Sequence, residues 1–277
     1  MDSNRLFENI KKKGSYLCVG LDSEFTRIPK YLLEEEYPLF EFNKRIVNAT
    51  ADYAVAFKPN LAFYESMGTA GWMSLELTIN YIRTHFPEIF LIADAKRGDI
   101  GNTSRLYASA FFHNMDFDAV TISPYMGADS VSEYLDYTDK WVIILALTSN
   151  QCASDFQLLN IDGKRKHIFE KVLETSKEWG NVDNTMFVVG ATHANWLKKV
   201  RKIVPDHFLL IPGVGAQGGS LKEVSMTGMN KKCGLLVNSS RSIIYADVTD
   251  KFDEAARNKA SEIQTEMEKY LQKQKLL

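Results

Sequence analysis

The chain has 277 residues, is 45% hydrophobic and carries a formal net charge of −2. That balance is typical of a globular chain with enough residues for a substantial core, and the length alone allows one or two domains. Near neutrality leaves no basic surface for nucleic acid and no polybasic segment for a membrane, and no apolar run approaches the roughly 20 residues that span a bilayer. The N-terminus, Met1-Asp2-Ser3-Asn4-Arg5, lacks the charged-then-apolar pattern of a signal peptide. Three dispersed cysteines (Cys18, Cys152, Cys233) form no CxxC and fit a reducing cytoplasm. None of the five histidines pairs with another at metal-ligand spacing, so no metal site is expected.

Short apolar runs recur along the chain, and a polar residue follows each one. Residues 16–21 end in Asp22, and 54–57 end in Lys58-Pro59-Asn60. An amphipathic stretch, Leu75-Leu77-Ile79-Ile82, predicts a helix before the third run, 90–93, which ends in Asp94-Ala95-Lys96. Run 119–122 ends in Ser123-Pro124, and run 142–147 in Thr148-Ser149-Asn150. Residues 151–164 have no clear period and read as a long loop, a lid or a disordered segment. Run 186–189 leads to Thr192-His193, and Trp196-Leu197-Val200-Ile203 predicts a helix. Run 208–211 opens into Pro212-Gly213-Val214-Gly215-Ala216-Gln217-Gly218-Gly219, and run 234–237 into Asn238-Ser239-Ser240-Arg241. A charged amphipathic helix over 253–275 closes the chain. Continuous apolar character without alternation marks strands buried on both faces. Eight such runs separated by helices predict an α/β fold, a closed (β/α)₈ TIM barrel, with residues 1–277 as a single domain; a doubly wound open sheet has the same periodicity. No repeat, low-complexity tract or linker marks a boundary.

The densest chemistry lies in Leu91-Ile92-Ala93-Asp94-Ala95-Lys96-Arg97-Gly98-Asp99-Ile100. Strand alternation puts Asp94 and Lys96 on one face, Gly98 lets the chain turn, and Asp99 leads into a helix start. If the second and third strands are neighbours, Lys58, Asp94, Lys96 and Asp99 form an alternating set of two ammoniums and two carboxylates. Such a set is either a structural ion-pair network or a reaction centre. The glycine-rich turn 213–219 offers backbone N–H groups with no Cβ in the way, and Arg241 in the next loop offers a two-pronged grip on phosphate. Glycines also serve plain turns, but the turn, Gln217 and Arg241 in adjacent loops together predict a phosphate site at the place where barrels of this kind bind one. The spacing matches neither a P-loop nor a dinucleotide fingerprint. Trp72, Trp141, Trp179 and Trp196 read as packing residues, His193 as a capping or surface residue, and Arg97 as a structural ion-pair partner.

These blocks, from Val19-Gly20-Leu21-Asp22 through Phe57-Lys58-Pro59-Asn60 and Asp94-Ala95-Lys96-Arg97-Gly98-Asp99-Ile100 to Pro212–Gly219 and Asn238-Ser239-Ser240-Arg241, resemble the orotidine 5′-phosphate decarboxylases, in particular their longer, bacterial-type branch. The resemblance spans nearly the whole chain. It implies a cofactor-free and metal-free lyase converting orotidine 5′-monophosphate to UMP and carbon dioxide, acting as a homodimer in the cytoplasm. Lys58, Asp94, Lys96 and Asp99 match the family tetrad, with Lys96 as proton donor to C6. Asp99, with Ile100 and Thr103, is implied to reach the partner's site. Asp22 and Asn60 match positions near the ribose. Ser123, Thr148 or Ser149 is implied near the pyrimidine, Pro212, Gln217 and Arg241 near the phosphate, and Ser240 among the substrate-binding residues. Gln151-Cys152-Ala153-Ser154 departs from the pattern, where a proline is expected soon after Thr-Ser-Asn.

The chemistry of the residues agrees with that reading. Loss of carbon dioxide from C6 leaves a carbanion with no carbonyl to delocalise into, so a fixed cation beside it both stabilises and protonates it. Three other readings compete: a magnesium-dependent sugar-phosphate decarboxylase or aldolase on the same scaffold, a Schiff-base aldolase using Lys58 or Lys96, and a non-catalytic phosphate-binding protein. The magnesium enzymes place an acidic residue where this chain has Lys58.

Overall fold

Every apolar run becomes a strand, and the eight strands close on one another. The computed structural model describes residues 1–161, 163, 166–215 and 218–277. Its barrel strands are β1 (Leu17–Leu21), β2 (Ala54–Pro59), β3 (Phe90–Arg97), β4 (Ala119–Ile122), β5 (Trp141–Leu147), β6 (Thr185–Val189), β7 (Phe208–Pro212) and β8 (Leu235–Ser239). Each pairs in parallel with the next in sequence, and β8 returns to β1 with Val237 opposite Leu17. That last pairing excludes the open sheet. Helices cover the outside, so both faces of the strands are dry and β1 and β4 are buried along their whole length.

The strands run further than their apolar runs. β2 extends through Lys58 and Pro59, β3 through Asp94 to Arg97, and β8 through Asn238 and Ser239. The backbone ladder responds to its neighbours rather than to side-chain polarity, so the polar tips stay within the strands. The third strand is irregular at that point: its register with β4 shifts between Ala93 and Arg97, and Lys96 adopts φ +47°. Simple alternation thus gives way at Lys96. The left-handed residues here are Lys96 and Gly101 (φ +54°), whereas Gly98 lies close against the Ser123 carbonyl.

The described residues of the segment after β5 are more ordered than its lack of period predicts; positions 162 and 164 of that predicted loop lie outside the described residues. Gln151–Asp155 forms a 3₁₀ turn, and Asn160–Ile161 pairs with Lys166–His167 in a small antiparallel ladder. Side-chain hydrogen bonds create that order. Gln157 Oε1 accepts from the Thr148 N–H at 2.7 Å, and His167 Nδ1 lies 2.7 Å from the Leu158 carbonyl. The helix Phe252–Lys273 buries Phe252, Ala256, Ala260, Met267 and Leu271, one stripe of helical period, against the helices Pro38–Thr50 and Leu221–Gly228. Trp141 is fully buried, and Trp72, Trp179 and Trp196 pack against the core, as expected of packing residues.

At the end of the barrel opposite the polar tips, two half-buried cations tie down chain carbonyls. Lys13 Nζ donates to the Ala51 and Ala54 carbonyls, and Arg201 donates to those of Val204, His207, Gly228 and Gly234. His207 sits beside Arg201 with its ring against Phe187, and neither ring nitrogen has a hydrogen-bond partner among the described residues. Burial, reinforced by the Arg201 charge, pushes the His207 imidazole down to about 4. Its ordinary value is about 6.5, so the unfolded chain takes up that proton first and stability falls as pH drops from about 6.5 to 4. Over that window His207 withdraws on the order of 3 kcal/mol. His207→Leu removes this loss, so its urea midpoint should fall less steeply than the wild-type midpoint between those pH values. Parallel curves would show that His207 titrates alike in both states.

Candidate active site

The polar strand tips converge on one cavity of about 400 Å³ at the C-terminal end of the barrel. Lys58 and Asp94 come from neighbouring strands, and their register brings Lys58 Nζ to 2.7 Å from Asp94 Oδ2. Asp94 Oδ1 faces the other way and accepts from Lys96 Nζ at 2.6 Å. One carboxylate thus bridges two ammoniums. The two cations differ sharply in exposure: the Lys58 side chain is 5% accessible and that of Lys96 50%. A second carboxylate, Asp22 from the end of β1, lies 3.9 Å from Lys58 Nζ.

Electrostatics follow from that arrangement. Burial disfavours the Lys58 charge, but Asp94 and Asp22 outweigh it and hold the ammonium well above the ordinary lysine range. Burial likewise disfavours the Asp94 carboxylate, and Lys58 and Lys96 together pull it well below the usual carboxylate range. Both groups are charged across the physiological range. Thr121 on β4 also belongs to this cluster: its Oγ1 donates to Asp94 Oδ1 at 3.2 Å and accepts from the Lys96 N–H at 2.9 Å. Sequence reasoning passed over Thr121 because it lies inside an apolar run; a lone hydroxyl in an otherwise hydrocarbon strand was the available signal.

The same cavity is lined by Pro212 at the end of β7, Gly213 and Val214 after it, and Ser240 and Arg241 after β8. Among the described residues the turn closes on itself, Gly215 N–H donating to the Gly219 carbonyl at 3.0 Å and Gly218 N–H to that of Gly215 at 2.9 Å. Gly213, Gly215 and Gly218 all have positive φ, and a Cβ on Gly219 would stand 2.4 Å from that of Ala191. These glycines are therefore required by backbone shape and close approach. Arg241 opens a short helix and is exposed, and its side chain makes no hydrogen bond or ion pair among the described residues. Gln217 lies outside the described residues. Ser240 is pressed so closely on β1 that a Cβ on Gly20 would come within 1.8 Å of its Oγ.

Of the remaining predicted residues, Asn60, Thr148 and Ser149 line the cavity. Ser123 does not: its N–H donates to the Arg97 carbonyl at 2.7 Å and it braces the β3 and β4 loops. Asp99, Ile100 and Thr103 also stay outside the cavity of their own chain. The Asp99 carboxylate accepts from the Ile100 N–H at 2.8 Å, and Ile100 and Thr103 are exposed. Within one chain the second carboxylate near the lysines is therefore Asp22. Arg97 pairs with Glu65 and lies against the rings of Tyr107 and Phe111, the structural role expected of it. Leu145, Val188 and Leu210 form an apolar floor that the reading of strand ends did not include. Among the described residues no group of histidine, cysteine, aspartate and glutamate is arranged to hold a metal, and no helix is long and apolar enough to cross a membrane.

Comparison with known proteins agrees with this geometry. The family model for orotidine 5′-phosphate decarboxylase / HUMPS matches residues 15–257. The chain is 58% identical over 271 residues to an orotidine 5′-phosphate decarboxylase of Phocaeicola vulgatus, covering 98% of this chain and 99% of that protein. It is 55% identical to one from Christiangramia forsetii, covering 99% and 100%. Among solved structures it resembles Leishmania donovani OMP decarboxylase at 34% identity and a TM-score of 0.79, covering 96% of this chain and 100% of that one. Leishmania donovani UMP synthase is 36% identical at a TM-score of 0.80, with 94% of this chain covered but only 56% of that longer one. A closed eight-strand barrel, a lysine–aspartate–lysine bridge and matches along nearly the whole chain lead to one conclusion: this chain belongs to the orotidine 5′-phosphate decarboxylase / HUMPS family.

Proposed function

We propose that this chain converts orotidine 5′-monophosphate to UMP and carbon dioxide, the last step of de novo pyrimidine synthesis, with no metal or other cofactor, and that residues 1–277 form one catalytic domain. The observation that carries the reading is a single cavity with the Lys58–Asp94–Lys96 bridge on one wall and Arg241 beside the glycine-rich turn on the other. A charged nucleotide that spans the cavity then has its phosphate at Arg241, Pro212, Ser240 and Gln217 and its base at the charged wall. Asp22 and Asn60 lie between these ends and take the ribose. Thr148 and Ser149 take the pyrimidine edge, and Ser123 supports the loops from outside.

In this reading the bond from C6 to the carboxylate breaks and its electron pair stays on C6. Lys96, the exposed member of the bridge, stabilises that pair and then delivers its ammonium proton to C6. Asp94 holds Lys96 in place and faces the departing carboxylate; Lys58 keeps Asp94 ionised. Binding energy from the distant phosphate orders the site around the base. The magnesium-dependent alternative needs a carboxylate at the end of β2, and Lys58 Nζ instead stands 2.7 Å from Asp94 and 3.9 Å from Asp22, between the only two carboxylates that line the cavity among the described residues. Asp99, Ile100 and Thr103, exposed or partly so and outside their own cavity, complete the site of a partner chain in a two-fold homodimer. The dispersed, unpaired cysteines fit a cytoplasmic enzyme.

Loss of the orotidylate absorbance tests the reaction directly. Turnover should proceed without added metal, continue in chelator, and fall by at least about 1,000-fold in Lys96→Ala. Near-wild-type rates in that variant would remove Lys96 from the proton-donor role, and inhibition by chelator would reopen the metal-dependent reading.

Arg241→Ala should weaken binding of UMP more than binding of uridine. The expected difference is about 1.5–3 kcal/mol, the usual range for a hydrogen bond to a charged group, readable by calorimetry. Equal losses for both ligands would place phosphate elsewhere.

Subunit exchange tests the shared site. Lys96→Ala and Asp99→Ala are each expected to be inactive alone. In a mixed dimer one site collects both defects and the other has Lys96 from one chain and Asp99 from its partner. Random exchange makes half the dimers mixed, so about a quarter of wild-type activity should return. No recovery, with mixed dimers demonstrated by mass, refutes a shared site.

A further inference from the structure

We infer that Thr121 is a positioning residue for Lys96, an inference that rests on the proton-donor reading above. Thr121 is buried on β4 and is the one hydroxyl in the strand Ala119-Val120-Thr121-Ile122. Its Oγ1 accepts the Lys96 backbone N–H at 2.9 Å and donates to Asp94 Oδ1 at 3.2 Å. The same Oδ1 accepts from Lys96 Nζ at 2.6 Å. The contacts form a closed ring: Lys96 backbone to Thr121, Thr121 to Asp94, and Asp94 back to the Lys96 ammonium. Lys96 is thereby gripped at both its ends.

The ring explains two irregularities of β3. Lys96 adopts φ +47°, which residues other than glycine rarely do, and the β3–β4 register breaks between Ala93 and Arg97. In a regular parallel ladder the Lys96 N–H would find a β4 carbonyl. Here the threonine hydroxyl takes the carbonyl's place and satisfies a donor that would otherwise be stranded. Because that hydroxyl accepts from Lys96 through a lone pair, its one proton is free for Asp94 and reaches the oxygen that faces the Lys96 ammonium. The β-branched side chain, stiff at χ1 and fully packed, leaves little room for another arrangement. An unusual backbone conformation held by neighbours is a recurrent way to aim a functional side chain. Lys96 needs such aiming, since half of its side chain is exposed and little else in the chain restrains it.

The test compares Thr121→Val, which keeps shape and removes both hydrogen bonds, with Thr121→Ser, which keeps both. Thr121→Val should lower kcat for orotidine 5′-monophosphate by about 30- to 100-fold, the loss typical of a misplaced reacting group, with KM within about two-fold of wild type. Thr121→Ser should recover most of kcat. A purely structural role predicts instead that both variants lose thermal stability and active fraction while the kcat per folded site stays constant. The crystal structure of Thr121→Val gives a readout independent of turnover: Lys96 should leave the left-handed region or its ammonium should leave Asp94. If the valine variant does not fold, Thr121→Ala serves for both measurements. A valine or alanine kcat within two-fold of wild type, equal losses in the serine variant, or an unmoved Lys96 in the crystal each overturns the inference. Wild type measured alongside separates this outcome from failure of the decarboxylase reading, because an inactive wild type sinks the latter and leaves the crystallographic comparison to decide the former.

Discussion

A buried ammonium at the tip of β2 sets the terms for the whole site. Lys58 is nearly inaccessible, and an isolated cation there would be strongly disfavoured. Asp94 on the adjacent strand offsets that penalty, so the carboxylate cannot turn away without stranding Lys58. Fixing one oxygen of Asp94 fixes the other, and that second oxygen is where Lys96 docks. Orientation thus passes from the barrel core, through one salt bridge, to the exposed lysine. A pair of this kind contributes little net stability compared with an apolar pair of similar size, whereas losing one partner is severe. Its presence at this point is better explained by the chemistry it positions than by the stability it adds.

Barrel closure supplies the remaining geometry. Asp22, Lys58, Asp94 and Thr121 come from the first four strands in sequence, and they meet because each strand pairs with the next. Ser240 and Arg241 follow the last strand, and they line the same cavity as Asp22 because β8 pairs back to β1. The contact is close enough that Gly20 has no room for a side chain beside Ser240. The glycine-rich turn with Arg241 and the charged cluster are therefore two parts of one ring, both at the C-terminal ends of the strands, which is where catalytic groups of this fold are found.

Much of this was legible in the residues. The eight apolar runs matched the eight strands because strands buried on both faces are continuously apolar, and the polar residue after each run marked the C-terminal face. Lys58, Asp94 and Lys96 were legible for the same reason. What escaped was whatever depended on contacts between segments distant in sequence. Thr121 looked like filler in an apolar strand until its neighbours on β3 were known. Alternation placed Asp94 and Lys96 on one face, and they do meet, but through a break in β3 that no period reveals. The described part of 151–164 lacked a period because Gln157 and His167 order it through side-chain hydrogen bonds rather than through a buried stripe. Asp99 has the spacing to join the lysines, yet its carboxylate turns to the Ile100 N–H within its own chain.

The two lysines show how one charge type serves two purposes. Lys58, enclosed and matched by Asp94 and Asp22, is held as an ammonium and is poorly placed to surrender a proton to a ligand. Lys96 shares the same carboxylate but opens onto the cavity, where in the proposed mechanism it would reach a bound molecule and be recharged from solvent after each proton transfer. Exposure alone would leave Lys96 mobile and well screened. Its backbone is held by Thr121 and its ammonium by Asp94, while the floor of Leu145, Val188 and Leu210 provides a surface of low polarizability under the site. A nucleotide that covers the mouth would exclude much of the screening water, and the field of Lys96 on a carbanion would then strengthen without any movement of the lysine. In the proposed mechanism, the division between an enclosed lysine that holds the carboxylate and an open one that acts from it is what would allow a strand tip to carry a reactive cation.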